Sequence, residues 1–149
     1  MCRHFQRGRG LNSRKGNSLI EFSFLLPWYV FLFVGSFDLG MYSYALVALQ
    51  EGVRMGAMYA SQTTTTASNS TTAGTYVLAS LQGLPNIGTS VTSTSAAPIV
   101  VTAALVNSGP DGAPATTVTA VYTTPQLIPI PGLLPGQLTI TRSVEMRVQ

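Results

Sequence analysis

The chain has 149 residues, of which 46% are hydrophobic and only 9% charged, so it can form one modest domain but has few charges to solvate a surface. The formal net charge of +3 arises in the N-terminal tail, because five of the eight Lys and Arg residues precede residue 16. The remainder carries three arginines against five carboxylates, a net charge of −2, which argues against a nucleic-acid-binding surface there.

Residues 1–16 form a basic leader that is rich in Arg and Gly and shows no apolar periodicity, so we predict that it is disordered. Its positive charges immediately precede an apolar segment. By the positive-inside rule they hold the N-terminus in the cytoplasm and leave everything after the apolar segment outside. The only cysteine, Cys2, and the only histidine, His4, both lie in this leader, so no intrachain disulfide can form.

Residues 17–61 are predicted to form one long helix that crosses a membrane once and continues as an amphipathic stem. The sequence is apolar from Leu19 to Leu49 except for Glu21, Asp38 and a few small polar residues, which exceeds the ~20 residues that a membrane helix needs. Along the second half of this segment, apolar residues recur at the 3–4 spacing of one helix face. They are Leu39, Tyr42, Leu46, Leu49, Val53, Ala57 and Ala60.

A cleaved signal peptide and an uncleaved signal anchor are the two alternatives to this interpretation. A basic stretch followed by an apolar stretch is typical of a signal peptide, but no small-residue cleavage site follows promptly and Asp38 interrupts the apolar run. The first alternative would make the chain a secreted, adhesin-like domain. The second would make it a single-span surface protein that keeps its leader.

The rest of the chain is predicted to hold a connector and a small domain. Residues 62–75, rich in Thr and Ser, are interpreted as a flexible linker. In residues 76–149 a short helix at Tyr76–Gln82 and three strands are expected to form a small antiparallel β-rich domain outside the cell membrane, so the fold class is α+β. The strands are Ile99–Val106, Thr116–Thr123 and Gln137–Val148.

Two connections between these strands have distinct compositions. Asn107–Pro114 carries turn residues and predicts a hairpin between the first two strands. Pro125–Gly136 contains four prolines, which cannot donate to a strand ladder, so it should loop between the second and third strands. The Leu and Ile residues of this Pro-Gly insert indicate contact with a partner or with lipid. A domain this small buries little core of its own, so we expect it to be stabilised by packing against the helical stem or against neighbouring subunits.

The two carboxylates in the apolar segment require separate explanations. Glu21 would cost roughly 3 kcal/mol deep in a membrane. It is therefore either solvated at the interface or paired with an α-amine. Cleavage after Gly16 would create that amine at Asn17, four residues away, and the amine could belong to the same chain or to a neighbour. Asp38 lies 17 positions further, or ~25 Å along a helix, against a core ~30 Å thick. We interpret the two acids as marking the two interfaces, with a neighbour's basic group as the alternative partner of Asp38.

Nothing in the sequence predicts an enzyme, a cofactor or a metal site. Beyond the leader there is no histidine or cysteine, and Asp111 and Glu145 belong to different elements, a turn and a strand. No activated nucleophile, metal cluster or carboxylate pair for acid-base catalysis can be recognised from these residues. We expect no small-molecule substrate.

The segment from Arg14 to about Ala60 resembles the N-terminal region of TadE-like proteins, minor pseudopilins of the tight-adherence (Tad) pilus, which is related to type IV pili. The resemblance rests on an ordered series of residues and not on one motif. The series is Arg14, Lys15, Gly16, Glu21, Phe22, Pro27, Gly35, Asp38, Leu39, Gly40, Tyr44 and Arg54. The general type IV pilins typically have Phe after the glycine, whereas this chain has Asn17. The resemblance does not extend to the Thr-rich segment or to the Pro-Gly insert.

The resemblance implies that a prepilin peptidase cleaves between Gly16 and Asn17, with Arg14, Lys15 and Glu21 contributing to recognition. It also implies assembly through the helix. The residues implied in assembly are Glu21, Phe22, Pro27, Gly35, Asp38, Gly40 and Arg54. The implied partners are the peptidase, other Tad pilins or pseudopilins, the inner-membrane assembly platform and membrane lipid. The implied location is the bacterial cytoplasmic membrane, crossed once with the N-terminus inside, and a surface pilus after assembly.

Overall fold

The computed structural model describes residues 17–88, 91–109, 111–125 and 136–149, and within them it has an α+β fold. The basic leader and the Pro-Gly insert between residues 126 and 135 lie outside the described residues. The elements are helix α1 (Asn17–Ala60), a 3-10 turn (Thr66–Ser68), helix α2 (Ser70–Leu81) and strands β1 (Ser95–Ala96), β2 (Ile99–Val106), β3 (Ala115–Thr123) and β4 (Thr139–Arg147). This order confirms the predicted fold class, a long N-terminal helix followed by an antiparallel sheet.

The chain divides into two compact units, residues 1–36 and 37–149, and the division falls inside α1. In the first unit the helix presents apolar side chains with no protein covering most of them, for example Phe24 at 80% exposure and Phe33 at 73%. The helix is long and apolar enough to be a candidate membrane span. The second unit, which we call the globular unit, contains α2 and the whole sheet.

The sheet is an antiparallel meander in the order β1-β2-β3-β4. Its three long strands confirm the predicted ones: β2 has the predicted bounds, and β3 and β4 differ from them by one or two residues. The hairpin between β2 and β3 is also confirmed. Its turn is closed by the Gly109 N–H, which donates to the Ala113 carbonyl at 2.8 Å, and Gly112 adopts φ +73°, a conformation that favours glycine. The short β1 was not predicted.

The core of the globular unit lies between one face of the sheet and the two helices. Alternation along β2 and β3 directs Ile99, Val101, Val118 and Tyr122 into this core. The second half of α1 supplies a fully buried stripe that includes Leu49 and Val53. The predicted end of the helix at residue 61 lies one residue beyond the end of α1 at Ala60, and the stem contributes part of the core.

Two glycines allow α1 and α2 to approach closely. A Cβ atom on Gly52 would lie 3.1 Å from the Val77 carbonyl oxygen, and one on Gly56 would lie 3.2 Å from the Ala73 carbonyl oxygen. Both glycines are buried. Backbone of one helix thus lies against backbone of the other, with no room for even a methyl group unless the neighbours shift.

The flexible linker predicted at residues 62–75 is wrong, because the structure places a 3-10 turn and the start of α2 there. The Asn69 side chain caps α2 by accepting a hydrogen bond from the Thr72 N–H at 3.0 Å. The Thr116 hydroxyl, on β3, donates to the Ala67 carbonyl at 2.8 Å. The predicted helix at Tyr76–Gln82 is the second half of α2, which begins six residues earlier. The small residues of this segment form a helix that packs closely, although their low hydrophobicity gives no apolar pattern from which a helix could be predicted.

We predict that Asn69→Ala lowers the free energy of unfolding of the globular unit by ~1 kcal/mol, the usual cost of losing a side-chain N-cap. Thermal unfolding of the detergent-solubilised chain, followed by circular dichroism, measures this. Asn69→Asp is the matched control, since it keeps an acceptor oxygen for the Thr72 N–H and should unfold near the wild-type temperature. Equal losses in both variants would show that the cap does not stabilise α2.

Candidate functional site

The candidate site is helix α1 together with the junction that precedes it. The helix begins at Asn17, directly after Gly16 in the chain. Arg14, Lys15 and Gly16 lie outside the described residues, so their roles in processing stay predictions. A glycine at such a junction has a chemical use, because a backbone without Cβ can enter a narrow protease active site in extended form.

Glu21 and Phe22 lie on the exposed surface of the first turns of α1. Phe22 is 57% exposed, and the neighbouring Leu19 and Ile20 are 70% and 61% exposed. Glu21 therefore presents a single carboxylate in an apolar surface that none of the described residues of the first unit covers. Such a group offers a strong acceptor to an amine or another cation from outside this helix.

Pro27 interrupts the backbone hydrogen bonding in the first half of α1. Proline lacks an N–H group, so it cannot donate to the carbonyl of Ser23 one turn earlier. Pro27, Trp28 and Phe31 line a shallow, open groove on the helix surface. The two aromatic rings meet edge to face with centroids 6.2 Å apart. This apolar groove can accept a side chain from a neighbouring helix or a lipid chain.

Gly35, Asp38 and Gly40 occupy different environments although they are close in sequence. Gly35 is buried, whereas a Cβ added to Gly40 would have no atom within 4 Å. The Asp38 side chain is 3% exposed, and its Oδ2 accepts no hydrogen bond from the described residues. Its predicted level at a membrane interface stays a prediction, and its side chain is buried by protein.

Arg54, near the end of α1, is exposed, as is Glu51 one turn before it. Both lie off the buried stripe that contains Val53 and Ala57. Arg54 therefore remains available to a group outside the globular unit. Of the seven predicted assembly residues, the structure buries Gly35 and Asp38 and exposes the other five. The exposed residues are Glu21, Phe22, Pro27, Gly40 and Arg54, and they are spread along α1.

The structure brings together two carboxylates that the sequence analysis had left apart. Asp111, in the β2–β3 turn, and Glu145, on β4, line one hollow of about 140 Å³, together with Arg147. Pairing of Thr117 with Glu145 places this end of β4 beside the turn. Within the described ranges, no group of three or more His, Cys, Asp or Glu residues is arranged to hold a metal ion. Predicting from sequence that Asp111 and Glu145 lie close together would have required the register between β3 and β4.

Comparison with known families identifies the same region as the residue series did. Residues 16–58 match the family model described as TadE-like protein. The match begins at Gly16 and extends almost to the end of α1, so it covers the junction and the helix but not the sheet. The chain matches no curated protein and no solved structure. The resemblance of the N-terminal segment to TadE-like proteins is thereby confirmed.

Proposed function

We propose, from the TadE-like character of residues 16–58, that this chain is a pseudopilin-type component of a Tad pilus or a related secretion apparatus. The family suggests a structural component associated with the pilus and not an enzyme. The observation that carries the proposal is the position of the match. It includes Gly16 as well as the apolar helix, which are the two parts that a processed and helix-assembled subunit requires.

In the proposed function α1 anchors the chain in the bacterial cytoplasmic membrane with the leader inside. The basic residues of the leader support this orientation, and the exposed apolar surface of residues 19–33 supports the membrane location. A prepilin peptidase removes residues 1–16. The helix then packs against other pilins or pseudopilins on the assembly platform, and the globular unit faces away from the cytoplasm.

Processing of the N-terminus tests this proposal directly. When the chain is coexpressed with its cognate prepilin peptidase, the membrane-extracted protein should begin at Asn17. Gly16→Leu should block cleavage almost completely, because a bulky side chain must fit where the peptidase accepts bare backbone, while the helix still inserts. Gly10→Leu is the matched control in the same leader and should be cleaved normally. Intact-mass measurement and N-terminal sequencing distinguish these products.

The same measurement separates the two alternatives. A mature chain that still begins at Met1 in the presence of the peptidase would support an uncleaved, single-span surface protein. A chain that begins beyond Ser43 would mean that the apolar segment had been removed as a signal peptide, leaving a secreted, adhesin-like domain. Either result would contradict the proposed function.

A further inference from the structure

The two edges of the sheet differ in how their backbone groups are bonded. At the β2 edge, β1 pairs with the start of the strand, and the Val101 N–H donates to the Thr94 carbonyl at 2.8 Å. Further along, the Ala103 N–H donates to the Ser70 hydroxyl oxygen at 2.9 Å, so the first residue of α2 covers this edge. Such cover prevents another strand from adding at these positions.

The other edge of the sheet is β4, and its outward backbone groups are open. The Thr124 N–H donates to the Leu138 carbonyl at 2.8 Å, and the Val148 N–H donates to the Pro114 carbonyl at 2.9 Å. Because hydrogen-bonded pairs alternate in an antiparallel ladder, the even-numbered residues of β4 bond to β3 and the odd-numbered ones direct their N–H and C=O groups away from it. These odd-numbered residues are all exposed, and no strand of the described ranges lies beyond β4. They are Thr139, Thr141, Ser143, Glu145 and Arg147.

The core-facing side of β4 is incompletely covered. Val144 and Met146 pack against the core but are only partly buried. Arg142 pairs with Ala120, a core residue, so it lies on the same side, yet it is exposed. Its guanidinium donates to the Thr141 carbonyl at 3.2 Å, which is one of the outward-directed groups. The open edge is therefore flanked by two half-buried apolar side chains and one cation.

We propose that an extended segment of a partner protein adds to the open edge of β4 as a further strand. Its backbone bonds to the odd-numbered residues, its apolar side chains cover Val144 and Met146, and its Glu or Asp side chain lies opposite Arg142. A second copy of β4 does not meet this last condition, because the core-facing side of β4 contains no carboxylate. The inference uses only residues of the globular unit, so it does not depend on processing or on the membrane location of α1.

Binding of two synthetic peptides to the full-length chain in detergent tests the inference. The fluorescein-labelled probes are Thr-Val-Thr-Val-Thr-Glu-Thr-Val-Thr and its reverse, which place Glu opposite Arg142 in antiparallel and in parallel addition, respectively. One of them should bind, as measured by fluorescence anisotropy, and replacing its Glu by Lys should weaken binding about 10-fold. Arg142→Glu should reverse this preference, which a merely structural effect of the substitution would not do.

Ser143→Pro is the backbone test, because it removes one outward N–H without removing a bond to β3, and an edge strand tolerates proline at such a position. It should abolish peptide binding. The matched control, Ser143→Ala, keeps the N–H and should bind normally, and circular dichroism should show that both variants unfold near the wild-type temperature.

Equal binding by Ser143→Pro and Ser143→Ala would overturn the inference while leaving the proposed function intact. Failure of both peptides to bind the wild-type chain would also overturn it, and would mean that Arg142 protects the edge from strand addition. A wild-type dimer in detergent that Ser143→Pro converts to a monomer would identify a second copy as the occupant, which contradicts the proposed partner.

Discussion

Gly56→Leu should lower the free energy of unfolding of the globular unit by ~3 kcal/mol, at the upper end of typical overpacking costs. A Cβ atom at this position would lie 3.1 Å from Val77 Cγ2 and 3.2 Å from the Ala73 carbonyl oxygen, before any further leucine atoms are added. The backbone of α2 cannot move away without opening the core that Val118 and Leu49 fill. Since small domains are stable by only about 5–15 kcal/mol, a large fraction of the total would be lost.

Proteolysis of the detergent-solubilised chain at increasing urea concentration measures this loss. Gly40→Leu is the matched control, because it places the same side chain on the same helix where a Cβ would meet no atom within 4 Å. Replacing an exposed helical glycine should stabilise α1 by several tenths of a kcal/mol. If Gly56→Leu resisted urea as well as Gly40→Leu did, the close approach of α1 and α2 would not determine the stability of this unit.

Glu21→Ala should leave synthesis and membrane insertion intact but reduce incorporation into the pilus about 30-fold or more. Glu21 is exposed on α1 among apolar side chains. If it pairs with an amine of a neighbouring subunit, removing it leaves that amine unpaired in an apolar surrounding, which costs ~2 kcal/mol or more. Insertion itself should become easier, because a carboxylate is removed from a membrane segment.

Glu51→Ala is the control for this prediction, since it removes an exposed carboxylate from the globular part of the same helix. Each variant is expressed in a strain that lacks the wild-type copy, and the amounts in the membrane fraction and in sheared pili are quantified separately. Normal incorporation of the Glu21→Ala protein would contradict pairing at this position. Equal losses for both variants would mean that the effect does not depend on the membrane segment.

Strong local patterns predicted the helix and the sheet from sequence. Buried residues alternate with exposed or half-buried ones along most of β2 and β3, and the turn residues around Gly109 and Gly112 fix where the hairpin reverses. The 3–4 spacing through Leu49 and Val53 identified the buried face of α1, although not the elements that cover it. These patterns involve residues that are close in sequence, so they can be recognised without knowledge of the tertiary fold.

The errors fall where tertiary contacts override local composition. The Thr-rich segment before Tyr76 resembles a linker because its side chains bury little area, yet Ala73 and Gly74 are buried once α2 lies against its neighbours. The contact of Gly56 with α2 and the proximity of Asp111 to Glu145 both depend on pairings distant in sequence. No spacing along the chain encodes those pairings.

During synthesis, the buried face of α1 is made well before the strands that cover it. Gly56 lies against Val118, so the stem meets a strand made 62 residues later in the chain. At a synthesis rate of about 5–20 residues per second, the stem is made roughly 3–12 seconds before that strand. During this time Leu49 and Val53 are uncovered, but Gly52, Gly56, Ala57 and Ala60 make the rest of the face only weakly apolar. The small residues that permit close helix packing in the finished fold thus also limit aggregation of the nascent chain before its strands arrive.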